Sequence, residues 1–119
     1  MPITDFKYYK FNDQIEASFS LDGNEVAWVK NTSIENSGKT LRIRHLGVTT
    51  DRLREGIARD FLLSLLKVSE CNQVEEFIFE AVIINKPHWK GFLQKYNAQN
   101  IGIDSMYPHD SYRIPVTNL

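Results

Sequence analysis

Cysteine is almost missing from this sequence: Cys71 is the only one in 119 residues. One thiol excludes an intramolecular disulfide and a thiolate zinc cage. Long apolar runs are missing too, and every stretch falls well short of the roughly 20 residues that cross a bilayer. The N-terminal residues Met1-Pro2-Ile3-Thr4-Asp5 show no basic region followed by an apolar segment, so no secretory signal is read there. Neither sign of charge is in excess, with 14 basic residues against 15 acidic ones and a net charge of −1. Nucleic-acid-binding modules carry a basic excess or stripe, so neither nucleic acid nor membrane is expected as a partner. A small basic pocket for a phosphate ligand stays open. The chain reads as soluble and cytoplasmic.

What is present suits one folded unit. Hydrophobic residues make up 42% and charged residues 24%, enough for a core and a solvated surface. Repeats, low-complexity tracts and domain-dividing linkers are absent, so residues 1–119 are read as a single domain.

The first third predicts strands. Phe6 to Phe11 is aromatic-rich and ends at an Asn12-Asp13 turn. Ile15, Ala17, Phe19 and Leu21 alternate on one face, and Asp22-Gly23-Asn24 then supplies hairpin residues before Val26 to Val29. Asn31 to Gly38 reads as a polar loop. Thr40 to Val48 is a further strand, with Leu41, Ile43 and His45 on one face and Arg42, Arg44, Leu46 and Val48 on the other. Ala58, Phe61, Leu62, Leu65 and Leu66 follow the stripe of an amphipathic helix, broken by Asn72-Gln73. Phe77 to Ile84 is nearly continuous in apolar residues, as in an interior strand covered on both faces. Pro87 opens a short helix through about Tyr96. Asn100 to Met106 and Tyr112 to Val116 close the order of four strands, helix, strand, helix, two strands. The expectation is an α+β domain with one mixed, mostly antiparallel sheet and two main helices.

The most specific segment is Leu46-Gly47-Val48-Thr49-Thr50-Asp51-Arg52-Leu53-Arg54-Glu55-Gly56-Ile57-Ala58. A helix N-terminus carries backbone N–H groups without internal partners and a partial positive charge. A loop feeding into it wraps a pyrophosphate when no side chain blocks the approach, which suits Gly56 and the small Ala58. Arg52 and Arg54 could add charge-assisted bonds. The segment resembles motif A of the Gcn5-related N-acetyltransferase superfamily, in which an apolar strand end leads through a short loop to Gln/Arg-x-x-Gly-x-Gly/Ala at a helix start. The Val48-to-Gly56 spacing agrees with it. So does the downstream order, where the apolar strand ends at Asn85 and Phe92 to Ala98 occupy the position of the family's Phe-Tyr-x-x-x-Gly-Phe. The likeness spans roughly residues 40 to 116.

The resemblance implies an acyl-CoA N-acyltransferase fold lacking the two N-terminal helices, and transfer of an acetyl group from acetyl-CoA to a primary amine by direct attack. It assigns cofactor contact to Leu46, Val48, Arg52, Leu53, Arg54, Glu55, Gly56, Ile57, Ala58 and Asn85. Backbone N–H groups near Leu46 to Val48 would polarise the thioester carbonyl. His45 and Glu80 are the candidate bases and Tyr96 the candidate acid. Against these stand plainer readings: a packed strand histidine, a glutamate paired with arginine, a tyrosine ring closing the core. The family's motif Gln/Arg falls on Leu53, and its thiolate-protonating tyrosine falls near Leu93. These departures keep open a non-catalytic interaction module on the same fold, or a CoA-binding sensor. Cys71 is read as an incidental thiol, His88 and Trp89 as helix packing, and no metal site is expected. A homodimer is the expected assembly, since the missing helices leave the acceptor side open.

Overall fold

The computed structural model describes residues 4–49, 56–80, 86–103 and 110–119, with the side chains of residue 4 and residues 86–89 left aside. The strands are β1 (Thr4–Phe11), β2 (Gln14–Leu21), β3 (Asn24–Glu35), β4 (Thr40–Val48), β5 (Glu76–Phe79), β6 (Gln99–Gly102) and β7 (Ser111–Pro115). The helices are α1 (Ile57–Leu66), between β4 and β5, and α2 (Lys86–Lys95), between β5 and β6. All strands join one sheet in the order β1-β2-β3-β4-β5-β7-β6. Every neighbouring pair is antiparallel except β4 with β5, which need the α1 crossover because they run parallel. This is the predicted element order. Only the Asn12-Asp13 turn separates β1 from β2, so no helix stands between them.

Local chemistry explains the hairpins. Asp22 and Gly23 both take positive φ, 51° and 83°, which matches the twist of a two-residue turn. β2 alternates as its sequence predicts, burying Ile15, Ala17, Phe19 and Leu21. α1 lays its apolar stripe on this face, with the Phe61 ring 6.1 Å from Phe6 and 6.3 Å from Phe19. Phe61, Leu62 and Leu65 are fully buried, each stabilising the fold by about 1.5–3 kcal/mol. α2 meets the same face: Phe92 stands edge-on to Phe79, which stacks on Phe77. The C-terminal turn ties the helices together, since Arg59 donates to the Leu119 carbonyl and Asn118 to that of Tyr96. Among the described residues, the opposite face of the sheet carries no helix.

Two expectations are corrected. The polar segment after Asn31 is not a loop, because β3 continues to Glu35. Its polar side chains have partners across the helix-free face: Ser33 accepts from Arg44, and Glu35 from Arg42. The alternation predicted for β4 also breaks, since Leu41, Ile43, Leu46 and Val48 are all buried while Arg44 and His45 are not. Opposite this break, Asn31 takes φ 51°, and the β2–β3 register shifts between Ile15 and Ala17. The paired irregularity turns Leu46 and Val48 back into the core.

Candidate functional site

The parallel pairing of β4 with β5 lies at the start of β4. It spans Thr40 to Ile43 against Glu76 to Phe79 and closes with the Glu80 N–H donating to the Ile43 carbonyl at 3.1 Å. β4 itself continues to Val48, paired on its other side with β3. Among the described residues, nothing pairs with Arg44 to Val48 on the β5 side. The irregularity at Arg44-His45 decides which groups face the β5 side. Ile43 directs its carbonyl to β5, whereas the Thr49 N–H, further along, donates to Val26 of β3 at 3.0 Å. Successive strand residues alternate edges, so the N–H of Val48, and by the same alternation that of Leu46, turn to the β5 side. Their side chains lie in the core, so these two residues present backbone alone.

The chain enters α1 next to this edge. Gly56 caps the helix at φ 74° and ψ 17°, a left-handed conformation that favours glycine. A Cβ there would meet nothing within 4 Å, so the approach is open. The first helical bond runs from the Asp60 N–H to the Gly56 carbonyl, leaving the N–H groups of Ile57, Ala58 and Arg59 without a helical acceptor. Ile57 and Ala58 send their side chains into the core. The Thr49 hydroxyl, where β4 ends, is buried without a hydrogen-bond partner. The donor set is thus open backbone N–H groups and an unsatisfied hydroxyl, which fits an anionic, oxygen-rich ligand. Arg52, Leu53, Arg54, Glu55 and Asn85, expected to contact cofactor, lie outside the described residues.

On the helix-free face, β4 and its neighbours carry a charge cluster. Glu80 is 4% exposed and accepts from Arg42 at 3.1 Å, with Arg44 at 3.5 Å, both at Oε2. Arg42 Nε also bonds both oxygens of Glu35, at 2.9 and 3.0 Å, and Arg44 lies 3.8 Å from the same carboxylate. The two guanidinium groups beside it make burial of Glu80 tolerable. One step further, Glu76 pairs with Arg113 and accepts from Thr40. Burial works to raise the Glu76 pKa, but these bonds and the Arg113 and Arg42 charges outweigh it and hold the carboxyl below its usual range.

The structure separates the three candidate catalytic side chains by their contacts. Asn31 Nδ2 lies 2.8 Å from His45 Nδ1; with the amide donating, Nδ1 accepts and the neutral ring carries its proton on Nε2. Tyr96 is buried, its ring 4.9 Å from Phe92. No recorded contact joins His45, Glu80 and Tyr96. An open depression of about 520 Å³ lies by α2 and β7, lined by Lys90, Leu93, Gln94, Asn97, Ala98 and Tyr112, and includes none of the three. Among the described residues, no group of three His, Cys, Asp or Glu is arranged to hold a metal, and no helix is long and apolar enough to cross a membrane. Sequence reasoning allowed for an arginine paired with Glu80 but did not name Arg42 and Arg44. Alternate arginines on a strand preceding a lone acidic residue in an apolar run were the available signal.

No protein-family model matches the chain, and no curated protein matches it in sequence. Solved structures do match. An acetyltransferase from Thermus thermophilus superposes with a TM-score of 0.64 at 15% identity, over 87% of this chain and 65% of that one. The ribosomal-protein-S18-alanine N-acetyltransferase of Escherichia coli gives 0.59 at 13% identity, over 90% and 72%. A GNAT family acetyltransferase from Elizabethkingia anophelis, solved with acetyl-CoA bound, gives 0.63 at 7% identity and is nearly the same size, with 94% and 97% covered. The chain has the fold of the Gcn5-related acetyltransferases.

Proposed function

We propose that the chain transfers an acetyl group from acetyl-CoA to a primary amine by direct attack. The observation that carries this reading is the irregularity in β4, which turns the N–H groups of Leu46 and Val48 to the β5 side of the strand, beside the start of α1. Two donors fixed in a sheet polarise a carbonyl and stabilise the negative charge that develops on it. The α1 N-terminus and Thr49, with Arg52 and Arg54 from the sequence between them, hold the phosphates of the donor. Acetyl-CoA supplies the activated acyl group. Glu80, through water, or His45, once Asn31 releases its Nδ1, takes the proton that the amine loses on attack. Tyr96 is the candidate to return a proton to the departing thiolate. A homodimer is the assembly expected to cover the helix-free face.

Calorimetric titration with acetyl-CoA tests the reading. Micromolar binding, well above that of adenosine alone, and its loss in Gly56→Trp with the far-ultraviolet spectrum retained, are the expected results. No binding at millimolar ligand would refute the donor site and leave a non-catalytic module on this fold. Unchanged affinity in Gly56→Trp would refute the placement of the phosphates.

A further inference from the structure

Between Glu80 and Asp104 the sequence has no acidic residue but carries Lys86, Lys90 and Lys95, in a chain whose net charge is −1. Helix α2 is therefore a basic element in a nearly neutral protein. Lys95 is held over the Tyr96 ring, its Nζ 5.5 Å from the centroid. Lys90 instead lines the open depression of about 520 Å³ beside α2 and β7, with Gln94 one turn later and Asn97 just past the helix end. That end is fixed, since Asn97 takes φ 52° and the Ala98 N–H donates to the Leu93 carbonyl at 2.8 Å. Leu93 and Ala98 add apolar surface, and Tyr112 closes the β7 side. Among the described residues, no hydrogen bond or ion pair engages the side chains of Lys90, Gln94, Asn97 or Tyr112.

The lining thus offers a cation, no acid, two primary amides and a phenol around an apolar patch. A depression open to solvent encloses a small molecule poorly, whereas an extended chain crosses it and is held at successive residues. Lys90 to Asn97 covers about 10 Å along the helix, the reach of three extended residues. We propose that this flank of α2 docks an extended acidic segment of a partner protein. A carboxylate pairs with Lys90, and an aliphatic side chain two residues on rests against Leu93 and Ala98. Gln94 and Asn97 each both donate and accept, so they bond the peptide backbone between. A nucleic acid fits less well, because its backbone asks for several cations and the depression supplies one. None of the lining residues belongs to the donor site, so the proposal stands apart from acetyl transfer.

The test is a titration of the full chain with the blocked peptide acetyl-Glu-Ala-Leu-Ala-Glu-amide, followed by amide NMR. The glutamine peptide acetyl-Gln-Ala-Leu-Ala-Gln-amide and a short oligothymidylate are the controls. Expected are saturable shifts at Gln94, Asn97 and Tyr112 with the acidic peptide. Affinity should fall about tenfold with the glutamine peptide, and by as much in Lys90→Gln, for the loss of a charge-assisted bond. Lys90 is exposed, so the variant should keep its unfolding midpoint. Lys95→Gln, on a lysine already placed over Tyr96, should change affinity less than about twofold. Absent shifts, or unchanged affinity in Lys90→Gln, would overturn the docking site. An equal loss in Lys95→Gln would overturn it too, leaving only diffuse attraction to a basic helix. Tighter binding of the oligothymidylate at the same residues would replace the acidic segment by nucleic acid. Self-association that Lys90→Gln abolishes in sedimentation would replace it by a second copy of the chain.

Discussion

Replacing Gly47 with alanine adds one methyl group in the middle of β4, and the structure leaves no room for it. A Cβ built on Gly47 falls inside the Trp28 ring, which lies across this glycine from the paired position on β3. Two responses are available. If the ring stays, the strand must shift, an overpacking cost of about 1–3 kcal/mol. If the half-buried ring swings out, roughly 100 Å² of aromatic surface returns to water, at a cost of about 2.5 kcal/mol. The cheaper route sets the outcome, so a loss near 2 kcal/mol is expected. With a urea slope of about 1–2 kcal/mol/M, that lowers the midpoint by about 1–2 M. Equilibrium urea unfolding followed by circular dichroism measures it. The second half of the cycle is decisive: in a Trp28→Ala background, Gly47→Ala should cost less than about 0.5 kcal/mol. An unchanged midpoint in the single variant, or an undiminished penalty in the double one, would refute the argument. Gly47 lies between the two residues whose N–H groups face the β5 side, so the single variant should also depress any acetyl transfer.

Glu80→Gln leaves Arg42 to Glu35 and Arg44 with only a distant carboxylate; it should cost about 2–4 kcal/mol in urea unfolding. Cys71 is buried, and burial followed by the neighbouring Glu70 charge pushes its thiol up to about 11. A thiol reagent at pH 8 should therefore label it only on unfolding. The same shift has a sign for stability. The folded chain holds this proton more tightly than the unfolded one, so the contribution is present below about pH 8.5 and lost as pH rises toward 11, at most about 2–3 kcal/mol. Cys71→Ala should flatten that alkaline limb of the unfolding midpoint, and an unchanged limb would count against it. Glu76 runs the other way: its lowered pKa gives stability above the ordinary carboxylate range that is lost as pH falls through it. Glu76→Gln should make the acid limb shallower.

Where burial dictated residue type, the chain was legible. The period-2 run of β2 and the Phe61-Leu62-Leu65 stripe of α1 each have one apolar face, and no other element type buries them. Gly56 was legible for a different reason, since a left-handed cap before a helix favours glycine. The breakdown at Arg44-His45 was not legible, because an extra residue in a strand changes no composition and only inverts the faces beyond it. That inversion is what turns the Val48 N–H toward the β5 side, so the feature that most supports chemistry was hidden by the assumption that makes strands readable. The polar end of β3 misled in the same way. A strand whose outward side chains serve arginines on its neighbour has the composition of a loop, and only the pairing tells them apart. Ser111 shows the limit from the other side. A serine in an aromatic strand is unremarked until its hydroxyl proves buried without a partner. Core positions follow from what water excludes, whereas site positions follow from polar groups whose partners come from distant strands or from a ligand. That is why the first were read from sequence and the second needed the fold.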